Sequence, residues 1–368
     1  MERRLYHLDF LRAVMLFIGV FYRSAHADAG TGEYDFVRGI SGAFRMACFF
    51  IISGYFSAMV LERRGDLSFL KGRMTMLAVP ALVCVLLLAP FTTEWMLAYY
   101  TEAGTGKSFK MFWMQHAWFL LSLLVFTLPL GYILRYSRDC VRGLTAYMPL
   151  GVARLLLFVG VVAGCVFLHQ FLLPKYMWDI PWIHLVGLFV LITVQHFPYF
   201  LLGVFMYLWK DLYRAFNNHP ALWVGLTLAC IGAALGFELG SGHLENVGRG
   251  LKYLAMTYEY VLAMVISFAL FSLSARYLDK DFYIVRIMAQ SAYTVYVVHF
   301  ILVAFLLFIL QRAGLPMDAR MILSGIIACA TGMLFHFAVV ERFRVASLLF
   351  NGRLQPAAAR RAAARTAG

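Results

Sequence analysis

Ten apolar stretches, each long enough to cross a bilayer as a helix, dominate the sequence and leave little chain for any other fold. A spanning helix needs roughly 20 predominantly apolar residues, because a rise of about 1.5 Å per residue must cover a hydrocarbon core of about 30 Å. Runs of this kind lie at 8–26, 38–61, 74–93, 111–134, 152–172, 183–208, 221–238, 254–275, 287–310 and 321–340. The connections between them are short. The expectation is therefore an all-α polytopic membrane bundle of about ten transmembrane helices within residues 1–352, followed by a disordered basic tail over 353–368. Composition agrees. Of 368 residues only 14% are charged and 62% are hydrophobic, with mean hydropathy +0.76. A soluble domain is about a quarter charged.

The formal net charge of +13 does not point to nucleic acid. The basic residues form no single stripe and accompany no nucleic-acid-binding module. They cluster at span ends. Arg3, Arg4, Arg63, Arg64, Lys71, Arg73, Arg135, Arg138, Arg142, Lys210, Arg214, Arg276, Lys280, Arg286 and the tail fall on one side of an alternating ten-span topology. The other side holds far fewer. By the positive-inside rule the first side is cytoplasmic, which puts both ends of the chain there. The basic start feeds directly into a span and shows no small-residue cleavage site. The six cysteines show no CxxC spacing and read as small packing residues. The ten histidines show no metal-ligand spacing, so no metal is expected.

Ionisable groups within a span are costly and mark functional candidates. In the first span Asp9 and Arg12 are spaced i, i+3. Arg12 and Arg23 are eleven residues apart, which returns to nearly the same helix face about 16 Å along the axis. His26 follows Arg23 by three. Arg45 lies deep in the second span and needs a carboxylate, carbonyls or an anionic ligand. Ser53 and Gly54 form a small patch that also suits close helix packing. Arg73 and Lys71 mark a cationic cytoplasmic mouth suited to a phosphate-bearing donor. His116 and Trp118 lie near the outer end of the fourth span. In the ninth, His299 sits in an apolar run, with Tyr296 three residues before it as its nearest partner. Glu259 is a further acid inside a span. Each has a bland alternative: snorkelling for Arg12, a structural ion pair for Arg45, topology marking for Arg73, a satisfied structural histidine for His116 and His299.

LDFLR in the first span, FFIISGYF in the second, GRMTMLAVP leading the third, HAWFLL in the fourth and SAYTVYVVH in the ninth resemble, as an ordered set, the acyltransferase-3 family of membrane enzymes. The resemblance covers nearly the whole chain and is strongest toward the family's glucan-biosynthesis branch. It implies a ten-helix core that transfers an acyl group, succinyl in that branch, from acyl-CoA to periplasmic or cell-surface glycan, in a bacterial inner membrane. No bound cofactor is implied, because the acyl-CoA or succinyl-CoA is a donor substrate. The family's signature in the first span is an arginine, ten residues, then a histidine. Arg12 matches the arginine, but Arg23 stands at the histidine. An arginine cannot accept the proton of a sugar hydroxyl. His26, His116 or His299 then serves as base, or the chain is catalytically silent and binds glycan or a partner. On this reading Arg12, Arg23, His26 and His116 are the catalytic candidates. Arg45, Ser53, Arg73, Tyr296 and His299 are the substrate-binding ones. A transporter or flippase of an anionic small molecule is the alternative of another class, since intramembrane arginines suit it too.

Overall fold

The computed structural model describes residues 5–26, 35–102, 114–145, 147, 149–169, 183–241 and 249–353. All regular elements among them are helical. They are α1 (Tyr6–His26), α2 (Asp35–Arg64), α3 (Asp66–Leu82), α4 (Ala89–Glu102), α5 (Trp118–Thr127), α6 (Leu130–Thr145), α7 (Leu150–Phe167), α8 (Ile183–Leu208), α9 (Lys210–Asn218), α10 (Pro220–Ser241), α11 (Arg249–Tyr277), α12 (Tyr283–Arg312), α13 (Met317–Phe335) and α14 (Arg344–Asn351). The basic tail beyond Arg353 lies outside the described residues.

Each expected apolar run coincides with a helix or helix pair, and the protein is an all-α polytopic membrane bundle. Among the described residues seven helices are long and apolar enough to cross a membrane, or eight if the bent pair Gln115–Thr127 and Leu130–Thr145 counts as one. α1 and α10 fall outside that set. α1 carries Asp9, Arg12 and Arg23, and the apolar part of α10, Pro220–Ala233, is short. Two outlines differ from the sequence expectation. The third span is longer than 74–93, because helix continues from Asp66 to Glu102 through a π-helical segment, Val83–Leu88. Pro90 follows that segment. Its ring would press on the Leu86 carbonyl in an ordinary α-turn, and the wider π turn relieves this. The fourth run breaks at Leu128–Pro129, where proline offers no N–H to continue the ladder.

The chain divides into two compact units. The first comprises Met1–Leu11, Gly42–Asp66 and Leu128–Lys280. Within it α2 and α8 cross backbone to backbone. A Cβ on Gly54 would stand 2.0 Å from the Phe200 carbonyl oxygen, and one on Gly203 would stand 1.9 Å from that of Ile51. The small patch at Gly54 thus takes its packing reading. Elsewhere in this unit Phe268 stacks on Phe216 with centroids 3.8 Å apart and meets Trp223 at 4.9 Å. Tyr207 donates a hydrogen bond to Glu62, which also pairs with Arg138.

The start of α1 is pinned in this unit by buried His7. Its backbone N–H and Nδ1 lie 3.3 and 3.0 Å from Asp279 Oδ1, and Nε2 lies 2.8 Å from the Tyr213 hydroxyl. A carboxylate acceptor puts the ring proton on Nδ1, so Nε2 accepts from Tyr213. Asp279→Ala is expected to lower stability by about 1–3 kcal/mol, since it leaves a buried imidazole N–H without its acceptor. The thermal unfolding midpoint in detergent checks this, and an unchanged midpoint would remove the pin.

The second unit comprises Arg12–Ser41, Leu67–Thr127 and Asp281–Gly368. Its core is α12, packed against α13 and α4. Gly332 of α13 lies against Val295 of α12. Gly325 lies against the Phe21 ring of α1, where a Cβ would stand 2.6 Å away. The Ser324 hydroxyl donates to that of Ser24 at 3.1 Å, so α1 and α13 are fastened at the residue next to Arg23. α14 ends on Gly352, whose φ of +60° is left-handed and whose backbone packs on Thr75 and Met76.

Candidate active site

Tyr296, His299 and Phe300 of α12 follow at i, i+3 and i+4, so they share one face of the helix. Against that face lies the short 3₁₀ turn Gln115–Ala117, which carries His116 into α5. His116 is 4% exposed. Its ring meets those of His299, Tyr296 and Phe300 edge-on, with centroids 5.1, 5.5 and 5.7 Å away. The Tyr296 hydroxyl donates to the His116 carbonyl and so fixes the turn.

The protonation of His116 follows from its partners. Nε2 lies 3.1 Å from the Val297 carbonyl oxygen and 3.5 Å from Cys84 Sγ. A carbonyl can only accept, so Nε2 carries the proton and Nδ1 keeps its lone pair. Nδ1 is buried and has no hydrogen-bond partner among the described residues. A neutral imidazole with its basic nitrogen unengaged is what proton abstraction requires. His299 differs. Its Nδ1 donates to the backbone carbonyl of Tyr296 at 2.6 Å, which leaves Nε2 as its basic nitrogen.

Arg23 joins this cluster. Its guanidinium carbon lies 4.8 Å from the centroid of the Phe300 ring, a cation–π arrangement. Its charge is within electrostatic reach of His116 and Tyr296. The cluster therefore sets a fixed cation beside a buried imidazole. Such a pair can take a proton from a hydroxyl and stabilise negative charge developing on a carbonyl oxygen.

Gln115 was not among the sequence candidates. Its φ of +42° is left-handed, uncommon for a residue with a side chain. The turn is held by its amide, whose Nε2 donates to the Ala89 carbonyl at 3.1 Å and to Thr93 Oγ1 at 3.2 Å. Both partners lie just beyond the π-helical segment. Cys84, read as a packing residue, stands within that segment and touches the His116 ring. The one signal for Gln115 in the sequence is a polar Gln-His pair opening a long apolar run.

Arg12 is half-buried on α1 in the second unit. Arg73 is half-buried on α3, its guanidinium carbon 5.6 Å from the Phe69 centroid, and the Tyr293 hydroxyl bonds to the Met76 carbonyl nearby. Arg45, which is buried, and half-buried Ser53 belong to the first unit, Ser53 next to the glycine crossing. The side chains of His26 and Glu259 lie outside the described residues, as does Asp28.

The geometry alone allows several hydroxyl-directed chemistries, and comparison with known proteins narrows them. A family model describing an acyltransferase domain, of the acyltransferase-3 type, matches residues 5–341. The chain belongs to the acyltransferase-3 family. As a member of this family it is a membrane acyltransferase. It is 26% identical over 333 residues to glucans biosynthesis protein C of Salmonella heidelberg (strain SL476), covering 80% of this chain and 81% of that one. The proteins of the same name from Salmonella agona (strain SL483) and Salmonella dublin are 26% identical over 330 residues, with the same coverage. No solved structure gives a significant match.

Proposed function

We propose that this acyltransferase moves an acyl group, succinyl by its likeness to the glucan-biosynthesis branch, from a cytoplasmic acyl-CoA-type donor to a hydroxyl of a glucan on the far side of a bacterial inner membrane. The observation that carries the reading is the buried, unengaged Nδ1 of His116 in a cluster where the Arg23 guanidinium and the His116 ring both lie against Phe300. In this mechanism Nδ1 takes the proton of the sugar hydroxyl as its oxygen attacks the thioester carbonyl. The C–O bond forms, the C–S bond breaks, and the proton passes from the imidazolium to the departing thiolate. Arg23 stabilises the oxyanion in between. Arg73, at the end that the charge pattern makes cytoplasmic, suits the donor's phosphates. Arg12, about 16 Å along α1 from Arg23, continues the cationic face toward that end.

The test is acyl transfer from radiolabelled succinyl-CoA to periplasmic glucan by the purified protein in lipid. The parent is expected to transfer. Arg23→Ala is expected to slow transfer about 10²–10³-fold, the cost of losing one preorganised oxyanion partner. Arg23→His is expected to slow it as well. An inactive parent that gains transfer on Arg23→His would instead assign the chain as a silent family member. Uptake of the anion into vesicles without any acylated product would assign a transporter.

A further inference from the structure

Two consecutive residues bury acceptor atoms that accept nothing among the described residues, the Oε1 of Gln115 and the Nδ1 of His116. The two side chains are 7% and 4% exposed. Neither assignment is arbitrary. The atom of Gln115 that faces the Ala89 carbonyl must be the amide nitrogen, so Oε1 is the unsatisfied end. The Val297 carbonyl fixes the His116 tautomer in the same way. Buried acceptors are ordinarily satisfied, and two orphans in one turn point to a ligand. The ligand must donate protons. A carboxylate, a phosphate diester or a thioester has none to give, whereas a sugar ring carries several hydroxyls. The left-handed backbone at Gln115 is strained, and strain of this kind gathers at ligand clamps.

We propose that Gln115 Oε1 accepts a hydrogen bond from one hydroxyl of the acceptor sugar, and so presents another hydroxyl of that sugar to His116 Nδ1. Gln115 is thus a positioning residue that selects the hydroxyl to be modified. Its amide nitrogen locks the turn while its oxygen reads the sugar. The nature of the ligand rests on the acyl-transfer reading, but its binding can be measured without any transfer.

The experiment uses the full chain in nanodiscs, a β-linked glucose disaccharide and the monodeoxy analogues of that disaccharide. Binding is read by saturation-transfer NMR and transfer by radiolabelled succinyl-CoA. One deoxy position is expected to weaken binding about tenfold or more in the parent, the cost of leaving a buried acceptor unpaired. In Gln115→Leu the parent disaccharide is expected to bind as weakly as that analogue, and removal of the hydroxyl to cost nothing further. Thr93→Val loosens the clamp but keeps Oε1, so it is expected to retain the discrimination. This separates contact with the sugar from a damaged fold. The deoxy penalty persisting in Gln115→Leu, equal binding of all analogues by the parent, or no sugar binding at all would each overturn the proposal. Discriminating binding with no transfer would leave the sugar contact standing and remove the transferase reading. Transfer with unaltered penalties would do the reverse.

Discussion

His116→Ala is expected to lower acyl transfer by about 10²–10⁴-fold, the range that a positioned general base contributes. The loss should appear in kcat at saturating donor and acceptor, because the imidazole acts as the hydroxyl proton moves. Folding should suffer little. The turn that carries His116 is also held by Gln115 on the Ala89 carbonyl and by Tyr296 on the His116 carbonyl, and neither bond uses the imidazole. The variant does leave a cavity between Tyr296, His299 and Phe300, so the unfolding midpoint should be measured beside the rate. His299→Ala is the comparison, since its Nδ1 donates to the Tyr296 carbonyl and its basic nitrogen is Nε2, and its loss is expected to slow transfer less. A folded His116→Ala protein with parental kcat would remove His116 as the base and return attention to His26 and His299.

Gly203→Val is expected to have the largest structural effect. A Cβ there would meet the Ile51 carbonyl oxygen at 1.9 Å, and a backbone atom cannot rotate out of the way as a side chain can. α2 and α8 must separate, which undoes the crossing at Gly54 as well. A loss above about 4 kcal/mol is the scale of severe core disruption, enough to abolish recovery of a monodisperse protein from detergent. Gly225→Ala, where nothing lies within 4 Å of the new methyl, is the control for adding a Cβ to a helical glycine and should be harmless. Equal yields of the two would mean that the crossing does not hold α2 to α8.

The helices were legible because burial in lipid demands a visible apolar run. The 183–208 run ends where α8 ends, at Leu208. What escaped was decided by local backbone chemistry inside such runs. The π segment at Val83–Leu88 and the break at Pro129 leave hydropathy unchanged, so neither ended a run at the right place. For the site, Arg23 and His116 were each visible as polar groups where lipid forbids them. Which nitrogen of each histidine is left basic was not, because that depends on the Val297 and Tyr296 carbonyls, and backbone acceptors are anonymous in a sequence. Gln115 was missed for the same reason. Its role comes from a carbonyl 26 positions earlier and from a dihedral angle.

The π segment also makes the phase of α4 a matter of arithmetic. Each residue turns an α-helix by about 100°, so a single deletion between Val85 and Leu88 would swing Ala89 and Thr93 away from Gln115 even if every remaining side chain were unchanged. No substitution scan samples that axis. The length of this stretch, rather than the identity of any one residue in it, keeps the Gln115 amide supplied with its acceptors, and only insertions and deletions would reveal it.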